Sequence, residues 1–264
     1  MKIFVINMRK RRCLLCILAI AAAALLAAAM ILPNAAGVAE AFSPKRKLPI
    51  YSVDCSGKNV AITFDCAWGA DDIPGILKTL EKEDVRASFF IVGQWAEKFP
   101  DKVRMIAKAG HDIANHSYSH LRMGALDEER IRSEISKCGE VLEALSGRKI
   151  DLFRPPYGDY GNNVVGIAHE LGYYTIQWNV DSLDWKKDIS REEIFGRIMR
   201  KVNPGSIILF HNDTPHTANL LPEIISSLKK EEYGFLPVSE LILRENYYID
   251  FDGRQKSRES CNRK

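Results

Sequence analysis

Seven polar residues stand at the ends of short apolar runs, and their types suit acid–base and metal chemistry. Asp65 follows residues 60–64, His116 and His120 follow 112–115, and Arg154 follows 152–153. Asp181 and Asp184 follow the run that opens at Tyr174, and His211 follows 206–210. Within Asn115-His-Ser-Tyr-Ser-His120 the two histidines lie four apart, which predicts one face of a helical turn and a spacing suited to a single metal ion. Each residue alone has a plainer reading. Asp65 can be a turn or cap residue, and Arg154-Pro-Pro-Tyr157-Gly a rigid loop with a surface charge. Asp181-Ser-Leu-Asp184-Trp185 can be a turn with a half-buried indole, and His211 a structural histidine. Their joint placement argues for a common site.

The elements between them explain why they would converge. Strand-like runs at 60–64, 88–92, 112–115, 152–153, 174–180 and 206–210 alternate with helical patterns at 72–83, 101–109, 127–147, 164–171, 190–201 and 220–230. Asp127 is placed as an N-cap and Gly147 as a stop, and Ser190-Arg-Glu-Glu193 reads as a capping box. Ile131, Ile135, Cys138, Leu142 and Leu145 repeat at 4-3-4-3 spacing, the inner stripe of a helix in which Cys138 is a small buried hydrophobe. Strand–helix alternation predicts parallel strands with helices outside, as a barrel or an open doubly wound sheet. Both gather chemistry at the carboxyl ends of the strands.

Composition narrows the classes. The 264 residues are 46% apolar and 27% charged with a net charge of +3, which excludes disordered and low-complexity chains. Residues 1–50 hold 8 basic and 1 acidic residue, 252–264 hold 5 and 2, and 51–251 hold 24 and 31. So acidic a body argues against nucleic acid as partner. Lys2 and the cluster Arg9 to Arg12 precede an apolar run from Cys13 to Leu32, long enough for a bilayer-spanning helix, with Ala39-Glu-Ala41 as an alternative cleavage site. Either reading exports the body. The expected organisation is a basic stub with anchor or signal over 1–41, a linker over 42–58, one domain over 59–245, and a frayed polar tail over 246–264. Cys55–Cys66 or Cys55–Cys261 bridges are compatible with an exported protein.

Thr63-Phe-Asp65, His116-x-x-x-His120, Arg154-Pro-Pro-Tyr-Gly158, Asp181-x-x-Asp184-Trp185 and Leu209-Phe-His211 resemble, in order, the five motifs of the polysaccharide deacetylase family, carbohydrate esterase family 4. Phe64-Asp-x-x-Trp68-Gly is most similar to its bacterial sporulation-type branch. The resemblance implies a distorted, incomplete (β/α) barrel that hydrolyses N-acetyl groups on a cell-wall or chitin-like glycan, peptidoglycan foremost. It implies Asp65 as base, His211 as acid, and Arg154 as the partner that orients Asp65. It further implies an oxyanion contact from the Tyr157 backbone N–H, Asp184 as the partner of His211, and a pocket walled by Trp185 and Leu209 with Asp181 beside it. His116 and His120 would hold a divalent metal, zinc foremost. Such a set meets the needs of amide hydrolysis: an activated water, an oxyanion stabiliser and an acid for the leaving amine. One position departs from the family, which carries a metal-ligating Asp where this chain has Cys66. Either Cys66 ligates as thiolate or it points away and leaves two histidines with water, Asp71 or Asp72 being near enough in sequence to substitute. Two alternatives follow: a polysaccharide O-acetyl esterase, or a glycan-binding relative weakened by Cys66.

Overall fold

The computed structural model describes residues 17–24, 26–27 and 46–259, in two units, Met1–Arg46 and Lys47–Lys264. In the first unit, 17–24 and 26–27 are helical. Among the described residues no helix is long and apolar enough to cross a membrane. Both ends of the apolar run from Cys13 to Leu32, and the Ala39–Ala41 site, lie outside them.

In the second unit the strands are β1 (Ser52–Val53), β2 (Asn59–Cys66), β3 (Ser88–Ile91), β4 (Asp112–Asn115), β5 (Leu152–Phe153), β6 (Tyr174–Thr175), β7 (Val180–Asp181), β8 (Ile207–His211), β9 (Gly234–Phe235), β10 (Tyr247–Ile249) and β11 (Arg254–Ser257). The main sheet runs β6-β5-β4-β3-β2-β8-β7 and is parallel throughout, with β9 beside the start of β2. It curls into an incomplete barrel. The single strand expected at 174–180 is two, at opposite ends of the sheet order, so residues 176–179 carry the chain from one edge to the other. The peptide groups of that crossing are satisfied on both sides: Gln177 N–H donates to Ile50 C=O and Asn179 N–H to Ile207 C=O.

Strand parity sorts the side chains into two cores. Val60, Ile62, Phe64 and Cys66 of β2 point outward into a cluster with Phe89 and Ile91 of β3 and Ile208 and Phe210 of β8, covered by helices. Phe64 stacks between Phe89 and Phe210 at centroid distances of 4.9 and 5.8 Å. Ala61, Phe90 and Ile207 point inward and join Ile50, Val53 and Ile176 in the second cluster. Both faces being buried, the strands read as continuous apolar runs.

Helices match their stop and start signals. Asp127 accepts a hydrogen bond from Arg130 N–H at 2.8 Å and caps the helix Glu128–Ser146, which ends at Gly147 with φ 67°. Both halves of the Ser190–Glu193 capping box form ahead of the helix Arg191–Lys201.

Two boundaries are corrected. The expected linker 42–58 contains Ile50 and Val53, both buried, and the strand β1. The expected frayed tail 246–264 forms β10 and β11, and β11 pairs in parallel with β1. Gln255 anchors it: fully buried, it exchanges two 2.8 Å hydrogen bonds with the Leu243 backbone. A polar side chain with a complete set of partners is stable in a core. Val53 N–H also donates to Gly205 C=O, just before β8. A Cβ on Gly205 would stand 1.7 Å from Val53 O, so the close approach requires glycine there. The β1-β11-β10 sheet therefore closes the end of the barrel opposite the carboxyl ends of β2 and β8. Cys55, Cys66 and Cys138 are free thiols, so the Cys55–Cys66 bridge does not form, and Cys261 lies outside the described residues. Cys138 is buried as expected.

Candidate active site

At the open end of the barrel a cleft of ≈ 620 Å³ is lined by Asp65, His116, His120, Tyr157, Asp181, Trp185, Leu209 and His211 among others. Parity brings the acid–base residues together. Asp65 is the last inward residue of β2, His211 the last of β8, and the two are register partners.

Asp65 is 5% exposed and its Oδ1 accepts from Arg154 Nη1 at 2.6 Å. Burial pushes this carboxyl up, but the Arg154 guanidinium, with His116 and His211, outweighs burial and holds it below the usual carboxylate range. Arg154 is fully buried, lies 3.8 Å over the Phe90 ring and donates Nη2 to Gln177 C=O at 3.2 Å. A planar fork resting on an aromatic face fixes the carboxylate's direction as well as its charge.

The second pair sits across the cleft. The Asp184 carboxylate, fully buried, accepts from His211 Nδ1 at 2.8 Å, from His211 N–H at 2.8 Å and from the Thr217 hydroxyl at 2.5 Å. Burial pulls the His211 imidazole down, yet its hydrogen bond and attraction to Asp184 prevail and raise it. With Nδ1–H given to Asp184, Nε2 is left to carry the mobile proton.

His116 and His120 meet, with ring centroids 5.1 Å apart, though not by a helical turn. They lie on an irregular loop after β4, in which Ser117 and His120 take left-handed φ values of 62° and 58°. The buried Asn115 side chain sets that loop, accepting from Ser117 N–H at 2.9 Å and donating to Ile135 C=O at 2.8 Å. Glu134 holds Ser119 through its N–H and its hydroxyl, both at 2.7 Å. His116 Nδ1–H donates to Arg154 C=O at 2.8 Å, which leaves Nε2 bare, 3.4 Å from Asp65 Oδ2. His120 Nδ1 meets the Tyr157 hydroxyl at 3.2 Å. Burial lowers both imidazoles, His120 to about 4, so both are neutral donors at pH 7.

Of the two placements expected for Cys66, the structure has the one away from the histidines. Cys66 points away from Asp65 into the outer apolar cluster, and burial, with the Asp65 and Asp72 charges, pushes its thiol well up. A thiolate there has neither solvation nor a cation to stabilise it. Asp72 does not replace it: its Oδ2 accepts from Asp213 N–H at 2.8 Å, tying two loops together. Among the described residues no group of three His, Cys, Asp or Glu side chains is placed to hold an ion. The donor set therefore does not fit a three-ligand zinc site; it offers two imidazoles.

Around these groups, Leu209 is buried while Trp185 and Tyr157 are half exposed. Tyr157 has φ 60° in the turn after Pro156, and Asp181 accepts from Leu183 N–H at 2.8 Å. Trp68, 54% exposed, sits edge-on to His120. Glu134, Asn115 and Thr217 escaped the sequence reading. Glu134 had a signal, a charge on the apolar stripe between Ile131 and Ile135.

The polysaccharide deacetylase family matches residues 52–176. A peptidoglycan-N-acetylglucosamine deacetylase of Bacillus cereus is 37% identical over 187 residues, 69% of this chain and 67% of that protein. Among solved structures, a CE4 family pseudoenzyme from Bacillus anthracis superposes with a TM-score of 0.71 at 37% identity, covering 76% of this chain and 70% of that one. PdaA of Bacillus subtilis, a family 4 carbohydrate esterase, gives 0.69 at 27%, covering 73% and 84%. On its sequence, its curled sheet and this likeness, the chain belongs to the polysaccharide deacetylase family.

Proposed function

We propose that this protein removes N-acetyl groups from peptidoglycan. One observation carries the reading: two buried, oppositely tuned pairs, Asp65–Arg154 and Asp184–His211, end on neighbouring strands and face one cleft. Environments that push two titratable groups apart mark a base and an acid. Asp65, ionised at neutral pH, takes a proton from a water that attacks the acetyl carbonyl. The Tyr157 backbone N–H meets the developing oxyanion. His211 Nε2–H then protonates the sugar nitrogen as the C–N bond breaks, releasing acetate and a free amine. Leu209 and Trp185 enclose the acetyl methyl, with Asp181 at the edge.

The same geometry supports a second reading. With Cys66 turned into the core, two imidazoles remain as metal donors among the described residues, which suits a glycan-binding protein of low activity, and a CE4 family pseudoenzyme is among the similar structures. Acetate release from peptidoglycan and from O-acetylated xylan, followed alongside new amine, decides among the readings. Acetate with equimolar amine supports N-deacetylation, and acetate without amine makes the protein an esterase. Glycan retention without either product makes it a binding protein.

We place the domain outside the cytoplasmic membrane, on the basic cluster and apolar run of residues 1–41. Degradation of the domain by protease added to intact protoplasts supports this; full protection overturns it.

A further inference from the structure

We propose that a hollow beside the catalytic cleft is a subsite for the carboxylate-bearing arm of the glycan, an inference that rests on the peptidoglycan reading. The hollow, ≈ 660 Å³, adjoins the cleft at Trp185, which lines both. Its size is that of a small-molecule site. Four cations line it: Lys186, Lys187, Arg197 and Arg200. Lys186, Lys187 and Arg200 are exposed and form no ion pair among the described residues. Arg197 donates Nε to Asp181 C=O at 2.6 Å, fastening this wall to the cleft. Of the two acids in the lining, Asp188 and Glu193, the latter is engaged by Ser190 N–H at 2.8 Å.

Residues 51–251 carry 31 acidic and 24 basic side chains, so this local excess of positive charge runs against the sign of the body. Four cations against Asp188 and Glu193 leave the lining with a net positive charge, and a wall with such an excess concentrates anions. A neutral N-acetylated polymer offers these cations no opposite charge. A peptidoglycan strand does: every second sugar bears a lactyl ether whose carboxylate, or the acidic peptide extending it, stands one sugar from an acetamido group. With one acetamido group between Asp65 and His211, the neighbouring residue passes Trp185 and presents its anionic arm to the basic wall.

The test is calorimetric titration of the purified full chain and of its triple variant Lys186→Gln, Lys187→Gln, Arg200→Gln. The ligands are a peptidoglycan tetrasaccharide with free carboxylates, the same tetrasaccharide amidated, and chitotetraose. Wild type should bind the free-carboxylate ligand about 10-fold more tightly than the amidated one, the sum expected of three exposed ionic contacts. The preference should fade in 0.5 M salt, as in any exposed pairing. The triple variant should bind both equally while its affinity for chitotetraose is unchanged. Equal binding of the two tetrasaccharides by wild type, or an equal loss for chitotetraose in the variant, overturns the subsite. Binding is read without turnover, so a protein that prefers the carboxylate yet releases no acetate refutes the deacetylase reading and leaves the subsite standing.

Discussion

Asp184→Asn is the substitution that bears most directly on how His211 works. Three donors converge on this fully buried carboxylate, at 2.8, 2.8 and 2.5 Å. An amide has one oxygen and turns an N–H₂ toward the rest, so at least one donor loses its acceptor, at a cost of about 1–3 kcal/mol in folding stability. The chemical effect is separate. Burial lowers the His211 imidazole, and the Asp184 hydrogen bond and charge overcome it; without that charge, burial prevails. The proton donated to the leaving amine is then held less firmly, and turnover should fall about 10²–10³-fold, the worth of a positioned acid. The sign of the pH effect follows. An acid acts while protonated, so the alkaline limb of the rate profile, read by acetate release, should move to lower pH in the variant. Stability obeys the same linkage: a raised imidazole stabilises fully below its unfolded value near ~6.5 and loses that contribution as pH rises through the folded value. Wild type should thus lose stability across that window, and the variant should not. An alkaline limb unmoved by Asp184→Asn would refute His211 as an acid tuned by Asp184.

Asp65→Asn should lower turnover about 10²-fold or more with the fold retained, read by acetate release against far-ultraviolet dichroism. Arg154→Met should cost about 3–5 kcal/mol in urea unfolding at pH 7, because it strands a buried carboxylate; without its partner Asp65 is raised by burial and takes up its proton sooner as pH falls, so the deficit should narrow steadily from pH ~7 to ~3, and an equal deficit at those two pH values would exclude the pair as the cause. Cys66→Ala should leave zinc binding within about 2-fold by titration while costing roughly 1–2 kcal/mol of packing, and a 10-fold drop in zinc affinity would reinstate thiolate ligation. Truncation after Glu245 should lower Tm by several degrees, about the effect of 1–2 kcal/mol, because Leu243 loses both Gln255 hydrogen bonds.

What could be read from the residues, and what could not, divides along a physical line. Helix termini are local: Asp127, Gly147 and Ser190–Glu193 announce themselves because a cap satisfies its own first or last turn. The tail and the segment around β1 were misread for the opposite reason. Their polar residues are stabilised by partners about 200 positions away, Ser52 beside Arg254 and Val53 beside Gln255, and no local pattern carries that pairing. The histidine loop fails similarly, since Ser117 is held by the Asn115 side chain and Ser119 by Glu134 from the next helix. Cys66 is the instructive case between these. The choice between ligand and core residue was left open, yet strand alternation already decides it. If Asp65 faces the inside of the barrel with Ala61 and Thr63, then Cys66 faces outward with Phe64 and Ile62. Here β2 stays regular through residue 66, where Cys66 pairs with Ile91, its carbonyl accepts from Val92 N–H and its thiol packs among apolar neighbours. Regular pairing through residue 66 keeps the thiol on the outer face, so the strand itself takes position 66 out of the cleft.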